Sequence, residues 1–187
     1  MQPLILASKS PRRQELLKQV KIPFDVIPSD VDEAQYPMKS GPEEYVETLA
    51  RAKATHVLDQ HPDRTVLGSD TVVVVDGEIL GKPKDSQDAR RMLRQLSGKV
   101  HTVLSGVAIL SEDGETVFHG RADVRFFPLT DEDIQTYIDS GEPFDKAGAY
   151  GIQGFGAMLV EEIRGDYFTI VGMPVAQVVR ALRSFSH

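Results

Sequence analysis

The sequence predicts an α/β protein with a central mixed β-sheet flanked by helices. Segments typical of strands and of amphipathic helices follow one another along the 187 residues. Two pairs of predicted strands have no helix between them. Short acidic turns typical of hairpins join these pairs, at Asp76-Gly77 and at Glu112-Asp113-Gly114. Helices between strands together with hairpins favour a mixed sheet.

The N-terminal segment predicts a strand, a polar loop and a helix. Leu4-Ile5-Leu6-Ala7 is apolar enough for a buried strand, Ser10 is a good N-cap, and Pro11 suits the first helical position. Arg12 and Arg13 follow directly, so guanidinium groups lie beside a helix N-terminus. This combination suits a phosphate group, although a capped surface helix with solvated arginines fits the same residues.

The remaining elements follow from periodicity and turn residues. Further strands are predicted near residues 24–28, 65–75, 78–80, 101–111, 116–127 and 158–163. Further helices are predicted from Pro42, from a Ser86 cap to Leu96, from a Thr130 cap to Ser140, and from Pro174. A glycine-rich stretch, 146–156, lacks the spacing of a dinucleotide-binding loop, and no P-loop pattern is present.

Composition excludes several classes of protein. The chain has no cysteine, which excludes disulfides and fits a reducing compartment. Its net charge of -7 argues against a general nucleic-acid binder. Without a signal peptide or a membrane span, a single cytoplasmic domain over residues 1–187 is expected. The histidines lack ligand spacing, which argues against a zinc site: His56, His61, His101, His119 and His187.

Asp70 is the only carboxylate in an otherwise apolar predicted strand. A buried charge is costly unless it is paired or bound to a metal ion. An arginine or a backbone turn could satisfy it structurally, and a metal ligand or general base is the functional alternative. Lys82, just after the hairpin, is expected to return towards the strand that carries Asp70.

Three further polar residues are weaker candidates on sequence grounds alone. Lys53 and Glu33 could join Asp70 in a phosphoanhydride site, but a solvated surface position suits each of them as well. Gln153 offers a donor and an acceptor that suit the edge of a base, or it is a polar side chain on a tight loop.

Six separated motifs resemble one family, the Maf-like nucleoside triphosphate pyrophosphatases, from Leu4 almost to the C-terminus. The motifs are Leu6-Ala-Ser-Lys-Ser-Pro-Arg-Arg13, Gly68-Ser-Asp-Thr71, Leu80-Gly-Lys-Pro83, Leu96-Ser-Gly-Lys-Val-His101, Asp145-Lys-Ala-Gly-Ala-Tyr-Gly-Ile-Gln-Gly154 and Gly172-Met-Pro174. The resemblance implies an elongated fold of two lobes with a cleft, similar to inosine triphosphate pyrophosphatases, and a homodimer.

The resemblance also implies an activity: hydrolysis of a nucleoside triphosphate to the monophosphate and pyrophosphate, with Mg²⁺ or Mn²⁺ as cofactor. Asp70 matches the proton acceptor. The phosphate-binding positions are Ser8, Arg13, Lys53 and Lys82, and the metal carboxylates are Glu33 and Asp70. Arg12, Thr71 and Gln153 match the specificity residues of the branch that acts on dTTP and UTP.

The sequence leaves another base preference and two other functional classes open. A branch acting on 7-methyl-GTP typically has glutamine in place of Thr71, and an ITP-type activity is a further variant of the same chemistry. A regulatory protein that inhibits septum formation or cell division by binding is the alternative from another class. A further alternative is an enzyme that transfers phosphate to an acceptor, but the sequence contains no evident motif that would position the acceptor. Many relatives carry asparagine in place of Thr169, a difference that affects no assigned catalytic position.

Overall fold

The computed structural model describes residues 2–185, which form seven strands and six α-helices. The strands are β1 Leu4–Leu6, β2 Phe24–Val26, β3 Val66–Val75, β4 Glu78–Leu80, β5 Val100–Ser111, β6 Gly114–Phe126 and β7 Val160–Gly165. The helices are α1 Pro11–Gln19, α2 Pro42–Gln60, α3 Ser86–Leu96, α4 Asp131–Asp139, α5 Tyr167–Val171 and α6 Val175–Leu182. The predicted α/β class is confirmed. His187, one of the histidines considered above, lies outside the described residues.

The strands form one mixed sheet in the order β2-β1-β3-β5-β6-β7, with β4 also paired to β3. β1 runs parallel to both β2 and β3, with Leu6 opposite Leu67. β4 is antiparallel to β3, with Leu80 opposite Val73, and β7 is antiparallel to β6. The parallel pairs reflect the helices between their strands, and the turn at Asp76-Gly77 produces the predicted hairpin.

Local sequence explains where three of the helices begin. The Oγ of Ser10 accepts a hydrogen bond from Arg13 N, as predicted for the cap of α1. Thr130 and Asp133 form a reciprocal capping box at the start of α4. The predicted cap of α3 is wrong by one residue, because Asp85, not Ser86, accepts from Asp88 N. A carboxylate one position earlier satisfies the same donor.

The C-terminal elements differ from the prediction in detail. The predicted strand over 158–163 begins later, since a 3₁₀ helix occupies Gly154–Leu159 and β7 follows it. The short helix α5 was not predicted. Pro174 is the N-cap of α6 and not its first residue.

The chain divides into two compact units. The first comprises residues 2–71, 105–120 and 172–185, and the second residues 72–104 and 121–171. In the first unit α2 packs on the sheet through an apolar cluster: Ile5, Ala7, Ala50, Ala54, Val57, Val66, Ala108 and Leu110. In the second unit the buried aromatic side chains Phe126, Tyr137 and Tyr150 lie in the core with leucine and valine side chains from α3 and the strands. The predicted cleft and elongated shape stay predictions.

Candidate active site

Six of the seven predicted site residues in the first unit lie on four neighbouring segments. Ser8 follows β1, and Arg12 and Arg13 lie in the first turn of α1. Asp70 and Thr71 lie in the middle of β3. Because β1 and β3 are adjacent and parallel, the loop after β1 begins beside the strand that carries Asp70. Lys53, on α2, is the sixth.

Two glycines allow α2 to approach the sheet closely. A Cβ atom on Gly68 would lie 2.3 Å from the carbonyl oxygen of Ala50, and one on Gly106 would lie 2.2 Å from that of Val46. Neither site has room for a side chain, so glycine is required at both. Because α2 lies this close to the sheet, the side chain of Lys53 on α2 reaches Asp70 on β3.

Asp70 is buried and pairs with Lys53. Its side chain accepts a hydrogen bond from Lys53 Nζ at an N–O distance of 2.8 Å, through Oδ1. No hydrogen bond to Oδ2 is found within residues 2–185. Burial raises the pKa of Asp70 above its usual value of 3.8, while Lys53 and then Arg13 oppose that rise. A carboxylate with a raised pKa and one unused oxygen is suited to accept a proton.

Glu33 joins the same group from a different segment. Asp32 caps the 3₁₀ helix Glu33–Gln35 through a hydrogen bond from Ala34 N. Glu33 Oε1 then lies 3.0 Å from Lys53 Nζ. One ammonium group therefore bridges two carboxylates, and the exposed Glu33 is brought next to the buried Asp70.

Arg13 is held by three hydrogen bonds. Its Nε donates to the carbonyl oxygen of Gly172 at 2.9 Å, and its terminal nitrogens donate to Ser8 Oγ and Thr71 Oγ1, each at 3.0 Å. Burial lowers the pKa of Arg13 to about 10, with Asp70 acting against this change. A guanidinium group has five N–H donors, so this arrangement fixes the fork and leaves donors for a ligand.

A hydroxyl cluster continues from Thr71. Its Oγ1 lies 2.7 Å from Ser105 Oγ and 3.2 Å from the Gly172 carbonyl oxygen. Ser69 Oγ donates to the Gly106 carbonyl oxygen at 2.7 Å. Sequence reasoning missed Ser105 and Gly172 as parts of this cluster. A serine within the apolar run 103–110 was the available signal for Ser105.

Tyr45 was also missed. It lies on α2, and its pKa is raised by burial and by the negative charges of Asp70 and Glu33. The phenol therefore lies within the electrostatic influence of the two carboxylates. No sequence signal distinguishes it from the other residues on the same helix face.

Two predicted site residues belong to the second unit. Lys82 lies two residues beyond β4 and is exposed. Gln153 is exposed and immediately precedes the 3₁₀ helix Gly154–Leu159. Their predicted parts in phosphate binding and base selection stay predictions.

The donor set fits a divalent cation only in part. Carboxylate oxygens are the side-chain ligands that Mg²⁺ prefers, and Glu33 and Asp70 converge on one position. Clusters of three or more His, Cys, Asp or Glu side chains that could hold a metal ion are not found in residues 2–185. Mg²⁺ commonly binds through one or two carboxylates, with water and substrate phosphate oxygens completing its shell, so the two residues suit that kind of site.

Comparison with known proteins identifies the family. A model described as Maf-like protein matches residues 3–185. The chain belongs to the Maf family. Within this family it is 54% identical over 183 residues to a dTTP/UTP pyrophosphatase of Halalkalibacterium halodurans, covering 98% of this chain and 96% of that protein. It is also 54% identical over 187 residues to a dTTP/UTP pyrophosphatase of Symbiobacterium thermophilum, covering 100% and 96% respectively.

A solved structure of low sequence identity resembles this Maf family chain in fold. The Staphylococcus aureus Ham1 protein aligns over 98% of this chain and 97% of its own, at 15% identity and a TM-score of 0.52. This likeness concerns the fold alone. Within the described residues, no helix is both long and apolar enough to cross a membrane.

Proposed function

We propose that this chain hydrolyses dTTP and UTP to the nucleoside monophosphate and pyrophosphate. The proposal rests on one observation above all: a buried Asp70 with a raised pKa lies in the same unit as an anchored arginine fork and a lysine. Relatives of about half identical sequence over nearly the whole chain carry the name dTTP/UTP pyrophosphatase. Chemistry of the site and family membership therefore support the same activity.

In the proposed reaction, Asp70 accepts a proton from a water molecule whose oxygen attacks the α-phosphorus. The bond between the α-phosphorus and the bridging oxygen breaks, and pyrophosphate leaves with that oxygen. Ser8, Arg13, Lys53 and Lys82 bind the phosphates and offset the negative charge that develops on the leaving group. Charge stabilisation of this kind is commonly the largest contribution to such a reaction.

Glu33 and Asp70 are proposed to hold Mg²⁺ or Mn²⁺. When bound, the cation would supply further positive charge at the phosphates. Lys53 would then exchange one or both carboxylates for phosphate oxygens, since its ammonium group and a cation compete for the same carboxylate oxygens. Arg12, Thr71 and Gln153 are proposed to select the base.

A homodimer and a cytoplasmic location are consistent with the family resemblance and with a chain that contains no cysteine. Neither is needed for the chemistry of Asp70.

A panel of nucleotides tests the proposed function. The purified chain is incubated with UTP, dTTP, CTP, ITP or 7-methyl-GTP and with Mg²⁺ or Mn²⁺, and monophosphate and pyrophosphate are quantified separately. Equal release of both products, greatest with UTP and dTTP, is expected. Preference for 7-methyl-GTP or ITP would keep the reaction but contradict the roles of Arg12, Thr71 and Gln153. Absence of turnover with every nucleotide would favour the regulatory binding protein.

A further inference from the structure

Gln153 occupies the N-cap position of the 3₁₀ helix Gly154–Leu159 but makes no capping hydrogen bond with its side chain. A Ser, Thr, Asp or Asn side chain at this position commonly accepts a hydrogen bond from the second or third backbone N–H group of the helix. These donors belong to Phe155 and Gly156. Their partner in this chain is another residue.

The carboxylate of Glu142 satisfies both donors. Phe155 N donates to Glu142 Oε2 at 2.7 Å, and Gly156 N donates to Oε1 at 3.3 Å. Glu142 therefore caps this helix. The amide of Gln153 is left exposed, with its donor and acceptor available for a ligand.

Tyr137 holds the backbone on the N-terminal side of Gln153, at Gly151. Its hydroxyl accepts a hydrogen bond from Gly151 N at 3.0 Å and donates one to Glu142 Oε1 at 3.2 Å. The side chain is fully buried, and burial raises its pKa, so the phenol keeps the proton that it donates. Gln153 therefore lies midway between two anchored points, at Gly151 and Phe155.

Close packing limits movement between these anchors. A Cβ atom on Gly156 would lie 1.8 Å from the Gly151 carbonyl oxygen and 2.8 Å from the hydroxyl oxygen of Tyr137. Lys146 Nζ also donates to the backbone carbonyl oxygen of Glu142 at 2.7 Å. The backbone on both sides of Gln153 is thus held by hydrogen bonds, and at Gly156 it packs too closely against Gly151 to leave room for a side chain.

We propose that Glu142 and Tyr137 are positioning residues for pyrimidine selection, acting through Gln153. This inference rests on the proposed function. Uracil and thymine present an oxygen acceptor beside an N–H donor, whereas cytosine presents an amino donor beside a nitrogen acceptor. An amide distinguishes these edges only while its donor and acceptor keep a fixed place against the base, so displacement of the backbone that carries the amide weakens the distinction. Glu142 and Tyr137 supply that fixed backbone.

The test compares the kinetics of Glu142→Gln with those of the wild type and of Glu161→Gln, which alters an exposed glutamate on β7 of the same unit. Glutamine retains one acceptor oxygen, so one of the two backbone donors loses its partner. We expect the ratio of kcat/KM for UTP over CTP to fall about tenfold, the order of one lost hydrogen bond. The KM of Glu142→Gln for UTP should rise while its kcat stays unchanged. The Glu161→Gln control should have the kinetic constants of the wild type.

A double-mutant cycle separates positioning from a general structural effect. In a Gln153→Ala background, Glu142→Gln is expected to cause no further loss of selectivity, because the residue through which it acts is gone. Additive losses would contradict the proposal. Unchanged selectivity of Glu142→Gln, with pyrophosphate release intact, would overturn this inference alone, whereas no pyrophosphate release by the wild type would overturn the proposed function as well.

Tyr137→Phe is the second variant, since it removes only the hydroxyl oxygen. The same change in selectivity, of smaller size, is expected, and thermal unfolding followed by circular dichroism checks that each variant is folded. If Glu142→Gln does not fold, Tyr137→Phe decides the question. Loss of folding in both variants would assign the pair a structural role and overturn the proposal.

Discussion

The ammonium nitrogen of Lys53 lies 2.8 Å from Oδ1 of Asp70, so a positive charge on α2 lowers the pKa of the carboxylate on β3. Burial alone disfavours the ionised form of Asp70, and Lys53 makes the largest opposing contribution. The balance between these effects determines how readily Asp70 accepts a proton at a given pH.

Asp70→Asn is expected to abolish the proposed base while preserving its size. The rate of pyrophosphate release should fall by about 10² or more, the usual contribution of a general base. Since burial raises the pKa of Asp70, the folded chain binds that proton more tightly than the unfolded chain, and ionisation near neutral pH costs stability. Asparagine removes this cost, so the variant should stay folded.

Steady-state kinetics with UTP and thermal unfolding check this expectation. Asp63→Asn is a suitable control, because Asp63 is an exposed residue of the same unit. Near-normal turnover in a folded Asp70→Asn variant would exclude Asp70 as the base.

Lys53→Met is expected to move the acidic limb of the pH profile. The proposed base is active when ionised, so kcat/KM falls as the pH decreases through the pKa of Asp70. Lys53 lowers that pKa, and removing its charge should raise it, which moves the loss of activity to higher pH. The measurement is kcat/KM against pH, and Lys18→Met, which alters an exposed lysine, supplies the control. An unchanged midpoint would show that the contact with Lys53 does not influence the base.

Arg13→Lys is expected to affect both stability and activity. Lysine keeps the positive charge but cannot reproduce the fork that reaches Ser8, Thr71 and Gly172. Partners left without a hydrogen bond in this cluster should lower the free energy of unfolding by about 1–3 kcal/mol. Urea unfolding measures that loss and kinetics the fall in kcat/KM, with Arg164→Lys at an exposed position as control. Equal free energies of unfolding for Arg13→Lys and Arg164→Lys would contradict the conclusion that hydrogen bonds anchor Arg13.

The N-terminal part of this site follows closely from the sequence, because its determinants are local. The Ser10 cap, the proline at the start of α1 and the carboxylate in an apolar strand are each read from a few adjacent residues. The contact between Arg13 and Gly172 joins positions 159 residues apart, and no local pattern contains it. The same reason explains why Glu142, as a cap for a helix twelve residues later in the chain, was not predicted.

Gly68→Ala tests whether the close approach of α2 to β3 is needed. The added methyl group would overlap the Ala50 carbonyl oxygen, so the helix must move or the strand must distort. Overpacking of this kind lowers the free energy of unfolding by about 1–3 kcal/mol. Chemical denaturation checks the loss, and Gly114→Ala is the matched control because no atom lies within 4 Å of its added Cβ. Equal unfolding free energies for the two variants would contradict the tight packing.

The most direct test of the central claim is hydrolysis of UTP in water enriched in ¹⁸O, with mass spectrometry of both products. Attack of water at the α-phosphorus predicts that the label enters UMP and that pyrophosphate contains none. The label should disappear from UMP with the Asp70→Asn variant as turnover is lost. Label in pyrophosphate, or release of inorganic phosphate in place of pyrophosphate, would contradict the account.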